Sequence, residues 1–278
     1  MKRCILGIAI LSLAGCSQPF LKRVEYSLVL NNPAISFSFP DSKTDLQLAT
    51  LAQETKLGQL LAGKVTDYDR IKTLTNYVHH LFPHNGSNTP SRDDPLTIFR
   101  EAKQGGKSFR CVEYSYLLAG MIQSAGLSAR VLALKMKGAD TIKSGAGHVV
   151  TEAFLPQFSK WVMIDGQMNT ILEYNGTPLN TAEIRLFSQD GRNLSFSSLE
   201  SIYSNVQDYL LDWLLPYLFY LDTEISADLF IEKPRYERER VMLIPLGAPR
   251  IALFQRETPL RIVNYTSSVP SFYPEITP

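Results

Sequence analysis

The sequence has 278 residues, 45% of them hydrophobic and 20% charged, with a formal net charge of +1. This is ordinary globular composition, which argues against intrinsic disorder, and the length allows a main domain with elaborations or two small domains. Balanced charge without a basic run argues against nucleic acid as a partner.

The chain opens with a basic start, Met1-Lys2-Arg3, an apolar run from Cys4 to Leu13, and the small-residue ending Leu13-Ala14-Gly15-Cys16. That is the pattern of a secretory signal, and the ending resembles the bacterial lipobox. The resemblance implies that residues 1–15 are removed and that Cys16 is acylated, palmitate-type lipid holding the protein on a membrane. Removing Lys2 and Arg3 would leave 26 basic against 27 acidic side chains, a net charge of −1. The apolar run is too short to span a bilayer, which takes about 20 residues. One acyl chain anchors only marginally, so stable attachment takes a multiply acylated cysteine. By the same resemblance, Ser17 after the cysteine implies the outer membrane where the source has two. Of the three cysteines, Cys4, Cys16 and Cys111, only Cys111 then keeps a free thiol. In an oxidising compartment such a thiol is either buried and inert or retained for its chemistry.

In chain order, residues 16–45 read as a tether and an extended segment, with strand-like runs at Tyr26–Leu30 and Ile35–Phe39. Asp45 to Leu61 reads as a helix ending near Gly63. A second helix, capped by Asp67 or Asp69, places Ile71, Leu74, Val78 and Leu81 on one face and stops at Phe82-Pro83. Asn85 to Asp94 is a polar loop. Gly105-Gly106 makes a tight turn before Cys111, and Leu117, Leu118, Met121, Ile122 and Ala125 form a helical stripe closed by Gly126. Strands follow at Ala129–Met136, His148–Leu155 and Lys160–Asp165, with a flexible loop from Gly138 to Gly147. A helix followed by antiparallel strands is an α+β arrangement rather than a βαβ alternation. The apolar stretch Leu199–Leu221, interrupted by Pro216, reads as a buried helix, since Asp212 and Pro216 break a run already too short to cross a membrane. Strand-like runs recur at Val241–Pro245, Arg250–Phe254 and Leu260–Val263, and residues 264–278 read as a loose tail. The expected organisation is a signal over 1–15, a tether over 16–45, a catalytic domain over 46–190, and a helical and β extension with its tail over 191–278.

A reactive thiol needs help to ionise, from a helix N-terminus or an imidazole. Cys111 begins an amphipathic helix. Of the four histidines, His79, His80 and His84 have ordinary surface roles as their default reading. His148 opens a strand directly after the glycine-rich loop. Asp165 ends the next strand, 17 residues later, where antiparallel pairing would set it beside His148 as the acid orienting the base. Taken singly, each has a plainer reading: a core cysteine, a structural histidine and a turn aspartate.

Four stretches resemble the transglutaminase-like superfamily of papain-like thiol enzymes: residues 105–111 with the helix they open, Gly126 to Val131, Gly147 to Glu152, and Trp161 to Asp165. With the helix beginning at Asp67, the resemblance covers about half the chain. It implies a catalytic cysteine at a helix N-terminus packed on an antiparallel sheet, with Cys111, His148 and Asp165 as the triad. Gly126 and Arg130 fall on the family's "Gly, then Ala-Arg-Val" step, and Glu152 and Trp161 also match. Glu152 and Arg130 read as an ion pair supporting the site, and Trp161 as packing. Departures are Val150 where the family has Trp, Gly166 where it often has Pro, and Arg110 where cross-linking members carry Gln. The backbone N–H of Cys111 is the natural first oxyanion donor, and Gln104 is the candidate second. No zinc-ligand spacing and no phosphate-binding loop is present, so neither metal nor cofactor is expected.

The resemblance implies an exported, lipid-anchored enzyme attacking a peptide or isopeptide amide in the cell envelope. The absent cross-linking signature favours hydrolysis over acyl transfer. The alternative is a catalytically silent lipoprotein using the fold for binding or assembly.

Overall fold

The structure, a computed structural model, describes residues 23–31, 35–197 and 199–276. Cys4 and Cys16, and with them the signal and lipidation readings, lie outside the described residues.

The helical half begins with α1 (Leu46–Glu54) and α2 (Leu57–Leu60), which divide the expected helix because Lys56 between them adopts φ 53°. Helix α3 (Asp67–Leu81) follows. Its cap is Thr66 rather than Asp67 or Asp69, with the Asp69 N–H donating to Thr66 Oγ1 at 3.0 Å. Helix α4 (Pro95–Gly105) lies within a stretch the apolar periodicity leaves unassigned. Its signals are local: Asp94 caps it, accepting from the Thr97 N–H at 2.8 Å, Pro95 sits in its first turn, and Gly106 ends it at φ 59°. Helix α5 (Cys111–Ser124) is the buried centre of this half. A Cβ at Gly120 would meet Pro95 at 2.6 Å, so glycine there lets the start of α4 lie directly on α5.

Strands β1 (Ala129–Lys135), β2 (Gly147–Leu155) and β3 (Lys160–Ile164) form an antiparallel meander. The chain continues through β4 (Leu172–Tyr174), β5 (Thr177–Pro178), α6 (Thr181–Gln189), β6 (Ser195–Phe196) and the short α7 (Val206–Asp208). The expected helix over Leu199–Leu221 is only partly present. It starts at Val206, passes through a π-helical turn at Tyr209–Leu214 and a 3-10 turn at Leu215–Tyr217, and gives way to β7 (Tyr220–Glu224). Pro216 has no N–H with which to continue the helix. Strand β7 pairs with the free edge of β1. Then come β8 (Arg240–Leu243), β9 (Leu253–Phe254), β10 (Thr258–Pro259), β11 (Val263–Thr266) and α8 (Val269–Phe272).

One sheet thus runs β11-β8-β7-β1-β2-β3. Residues 264–278 are not a loose tail as far as they are described: β11 pairs in parallel with β8, and Phe272 of α8 is fully buried. The sheet separates two cores. Ala153, Leu155, Val162 and Ile164 pack towards α5, whereas Leu132, Leu134, Val150 and Met163 pack towards Tyr209–Leu221 and Phe272. The alternation of Val162, Met163 and Ile164 between the two follows from the two-residue period of a strand.

Candidate active site

Cys111 is the first residue of α5, half-buried, at an end where backbone N–H groups have no intrahelical partner and favour negative charge. Its position is set from both sides. Upstream, the Phe109 N–H donates to Pro83 O at 3.2 Å and the Asn85 N–H to Phe109 O at 2.7 Å. At the cap, the fully buried Glu113 carboxylate accepts from the Arg110 N–H at 3.1 Å and from its guanidinium at 2.6 and 3.1 Å. Helix and strand are then locked together. Ser115 Oγ donates to Val149 O at 2.9 Å, and Thr151 Oγ1 donates to Ser115 O at 3.0 Å.

His148, second residue of β2, is 1% exposed, and its Nε2 lies 2.8 Å from Asp165 Oδ2. A carboxylate only accepts, so Nε2–H donates and Nδ1 is left for the thiol. Burial opposes protonation of this ring, but the charge and hydrogen bond of Asp165, followed by those of Cys111, outweigh it and push the pKa up to about 10. Asp165 sits just beyond β3, where its N–H and C=O pair with Thr170 at 2.9 and 3.0 Å. Its buried carboxylate also accepts from the Met168 N–H at 3.1 Å and from Tyr209 Oη at 2.9 Å. Burial and then the charge of Asp165 hold Tyr209 well above the usual phenol range, so it stays a donor.

The expected neighbours Cys111, His148 and Asp165 therefore come together at one end of α5, β2 and β3. Cys111 and His148 share a cleft of about 630 Å³. Gln104 is exposed on the last turn of α4 and does not line that cleft. Apolar periodicity alone does not mark α4, whose length carries Gln104 into solvent. His84, expected to have an ordinary surface role, does line the cleft, and its pKa is lowered by burial and then by the charge of His148. His79 donates through Nδ1 to Gln167 O at 2.9 Å, tying α3 to the loop after Asp165, and His80 bonds within its own helix. Arg130 and Glu152 do form a buried ion pair, at 2.8 Å, and Trp161 stacks on the guanidinium at 4.4 Å.

Sequence reasoning missed the C-terminal contribution. Tyr209, Trp213 and Tyr217 recur every four residues through the π-helical and 3-10 turns. Tyr209 reaches Asp165, while the rings of Trp213 and Tyr217 lie 5.3 and 6.0 Å from that of His148. The aromatic spacing was visible in the sequence, but nothing there says which core it meets.

A half-buried thiol at a helix N-terminus, a histidine near the start of β2 and an aspartate just past β3 meet at one end of a papain-like α+β fold. The family model of the Transglutaminase-like superfamily matches residues 54–166, and this segment of the chain belongs to that superfamily. Among solved structures, one from Cytophaga hutchinsonii called a "Putative Cysteine Protease" is similar at 10% identity and a TM-score of 0.34, over 61% of each chain. A "putative protease" from Parabacteroides distasonis is similar at 16% identity and a TM-score of 0.31, over 50% of this chain and 28% of the other. A structure called a TGase is similar at 19% identity and a TM-score of 0.29, over 43% of this chain and 30% of that one. This chain thus spans less than two thirds of the length of each. No curated protein matches it. Among the described residues, no helix is long and apolar enough to cross a membrane.

The raised pKa of His148 has a consequence for stability. Between about 6.5 and about 10 the folded state holds a proton that the unfolded state has lost. The contribution of this group is therefore complete below pH 6.5 and disappears as pH rises through 10, with a slope of up to about 1.4 kcal/mol per pH unit. Urea denaturation of wild type between pH 7 and 10 should show that decline, and His148→Gln should flatten it. Equal slopes for the two proteins would contradict the charged pair.

Proposed function

We propose that this chain is an exported, lipid-anchored thiol enzyme that hydrolyses a peptide or isopeptide amide. Cys111 Sγ attacks the carbonyl carbon as one half of a thiolate–imidazolium pair, its proton already resting on His148 Nδ1. The tetrahedral intermediate collapses when that proton goes to the leaving amine, leaving a thioester on Cys111. Water, deprotonated by the same imidazole, then releases the acid and restores the thiol. Asp165 holds the tautomer and stabilises the imidazolium. The Cys111 backbone N–H and the ring of His84, rather than Gln104, serve the oxyanion. The observation carrying this reading is the buried His148–Asp165 pair, 2.8 Å apart, in a cleft shared with a half-buried thiol at a helix N-terminus. Hydrolysis is preferred because Arg110 stands where cross-linking relatives carry Gln.

The reading is tested by the iodoacetamide rate at Cys111 against pH. Wild type should stay reactive into mildly acidic solution. His148→Ala should slow alkylation on the order of 100-fold near pH 6, where an unassisted thiol is almost wholly protonated. Asp165→Asn should retain the fold but narrow the reactive range. A wild-type profile like that of a free thiol, unmoved by His148→Ala, would favour a silent binding module.

Support for the anchor is Leu13-Ala14-Gly15-Cys16 with Ser17 after it. Cys16→Ser should abolish acylation, read as the loss of acyl mass from the membrane fraction. Wild-type protein exported without acyl groups would refute the anchor alone.

A further inference from the structure

The cleft in front of Cys111 combines an apolar wall, including Val112, Leu134, Phe254 and Leu260, with an uneven set of charges. Besides His148, which is paired with Asp165, five cations line it, Arg110, Lys135, Arg235, Arg240 and Arg261, against the single carboxylate of Asp222. The other carboxylates paired with these cations are not among the lining residues. Glu113 is fully buried beneath Arg110, Glu224 lies 3.3 Å from Arg240 and is shared with Arg238, and Asp93 lies 3.2 Å from Arg235. Counting these partners, Arg238 included, six cations face four carboxylates. Arg261 is exposed and makes no hydrogen bond or ion pair among the described residues. The guanidinium of Arg235 is held 4.0 Å from the centre of the Tyr116 ring.

This wall is not a loose surface. The hairpin of β9 and β10 carries Phe254, and the chain runs on from it to Arg261. The Gln255 N–H donates to Ala139 O at 2.7 Å and Arg256 Nε to Thr141 O at 2.5 Å, tying the hairpin to the loop that leads into His148. A Cβ at Gly147 would come within 2.9 Å of the Phe254 ring, so only glycine lets the hairpin press on the strand entrance beside the histidine. A surplus of positive charge along a cleft with low-dielectric walls concentrates its field on whatever binds there.

We infer that the substrate of this cleft is an acidic peptide, with an apolar residue against the Phe254–Leu260 wall and a carboxylate near the scissile amide held by Arg261 and Arg235. The inference rests on the reading of Cys111 as the nucleophile and specifies the substrate it takes. It also gives residues 235–261, outside the superfamily segment, the role of selecting substrate.

Two small alkylating agents of nearly equal size test it. The ratio of the iodoacetate rate to the iodoacetamide rate at Cys111 should fall three- to fivefold in Arg261→Gln, roughly the worth of one screened charge. It should also fall with added salt in wild type. Because His148 is present in both proteins, its own attraction for the anion cancels in the comparison. A ratio unmoved by Arg261→Gln, by Arg235→Gln and by salt would overturn the inference. A second measurement does not need a reactive thiol: binding of dansyl-Leu-Glu and dansyl-Leu-Gln amides to the Cys111→Ala protein. The acidic peptide should bind at least about threefold more tightly, and its advantage should vanish in Arg261→Gln. Equal affinities would again overturn the inference. An inert Cys111 with the acidic preference intact would instead remove the catalytic reading and leave the charge selectivity standing.

Discussion

A carboxylate withdrawn completely from water survives as a charge only if donors replace the water it lost. Asp165 is that group here, and its three donors come from three places: the His148 ring on β2, the Tyr209 hydroxyl on the π-helical turn, and the Met168 N–H in its own loop. Each donor fixes the element it belongs to relative to the end of β3. The consequence reaches beyond the site, because Tyr209 lies well past the superfamily segment at 54–166. The C-terminal region is therefore part of the histidine's environment rather than an appendage. Removing Tyr209 would leave Asp165 with fewer donors in a place water does not reach.

A second buried pair does the same work further along the same face of β2. Arg130 and Glu152 stand opposite each other in the β1–β2 register, both almost fully excluded from solvent. Glu152 also accepts from Thr181 at the start of α6 and from the Tyr273 hydroxyl, while Arg130 donates to Phe272 O and lies against the rings of Phe37, Trp161, Phe272 and Tyr273. Charge-assisted hydrogen bonds and cation–π contacts together offset the cost of burying the guanidinium. The chain end is thereby drawn into the core. This explains why a polar, proline-containing stretch that reads as a tail instead supplies an edge strand and a buried Phe272.

Most of what local pattern can encode was legible. The apolar stripe of α5, the two-residue alternation of β1 to β3, and the glycines bounding them follow from period and turn chemistry. Antiparallel pairing of β2 with β3 was enough to bring Asp165 towards His148. What stayed hidden depends on contacts distant in sequence. Tyr209 reads as one more apolar residue in a helix until Asp165 is placed opposite it. His84 is one of three histidines near the end of α3, and only the backbone bonds between Pro83, Asn85 and Phe109 bring it to the cleft that Cys111 lines. Gln104 departs from its expected place for a local reason, since Asp94-Pro95 opens a helix that carries it into solvent.

The account depends most on His148 being charged because Asp165 is beside it. Nitrogen-15 NMR of the histidine rings, followed from pH 6 to 10, reads that state directly. His148 should remain doubly protonated through neutral pH and titrate near 10, with an Nε2 proton protected from exchange by its bond to Asp165. A His148 ring that loses its proton near 6.5, as a free histidine does, would contradict the central claim.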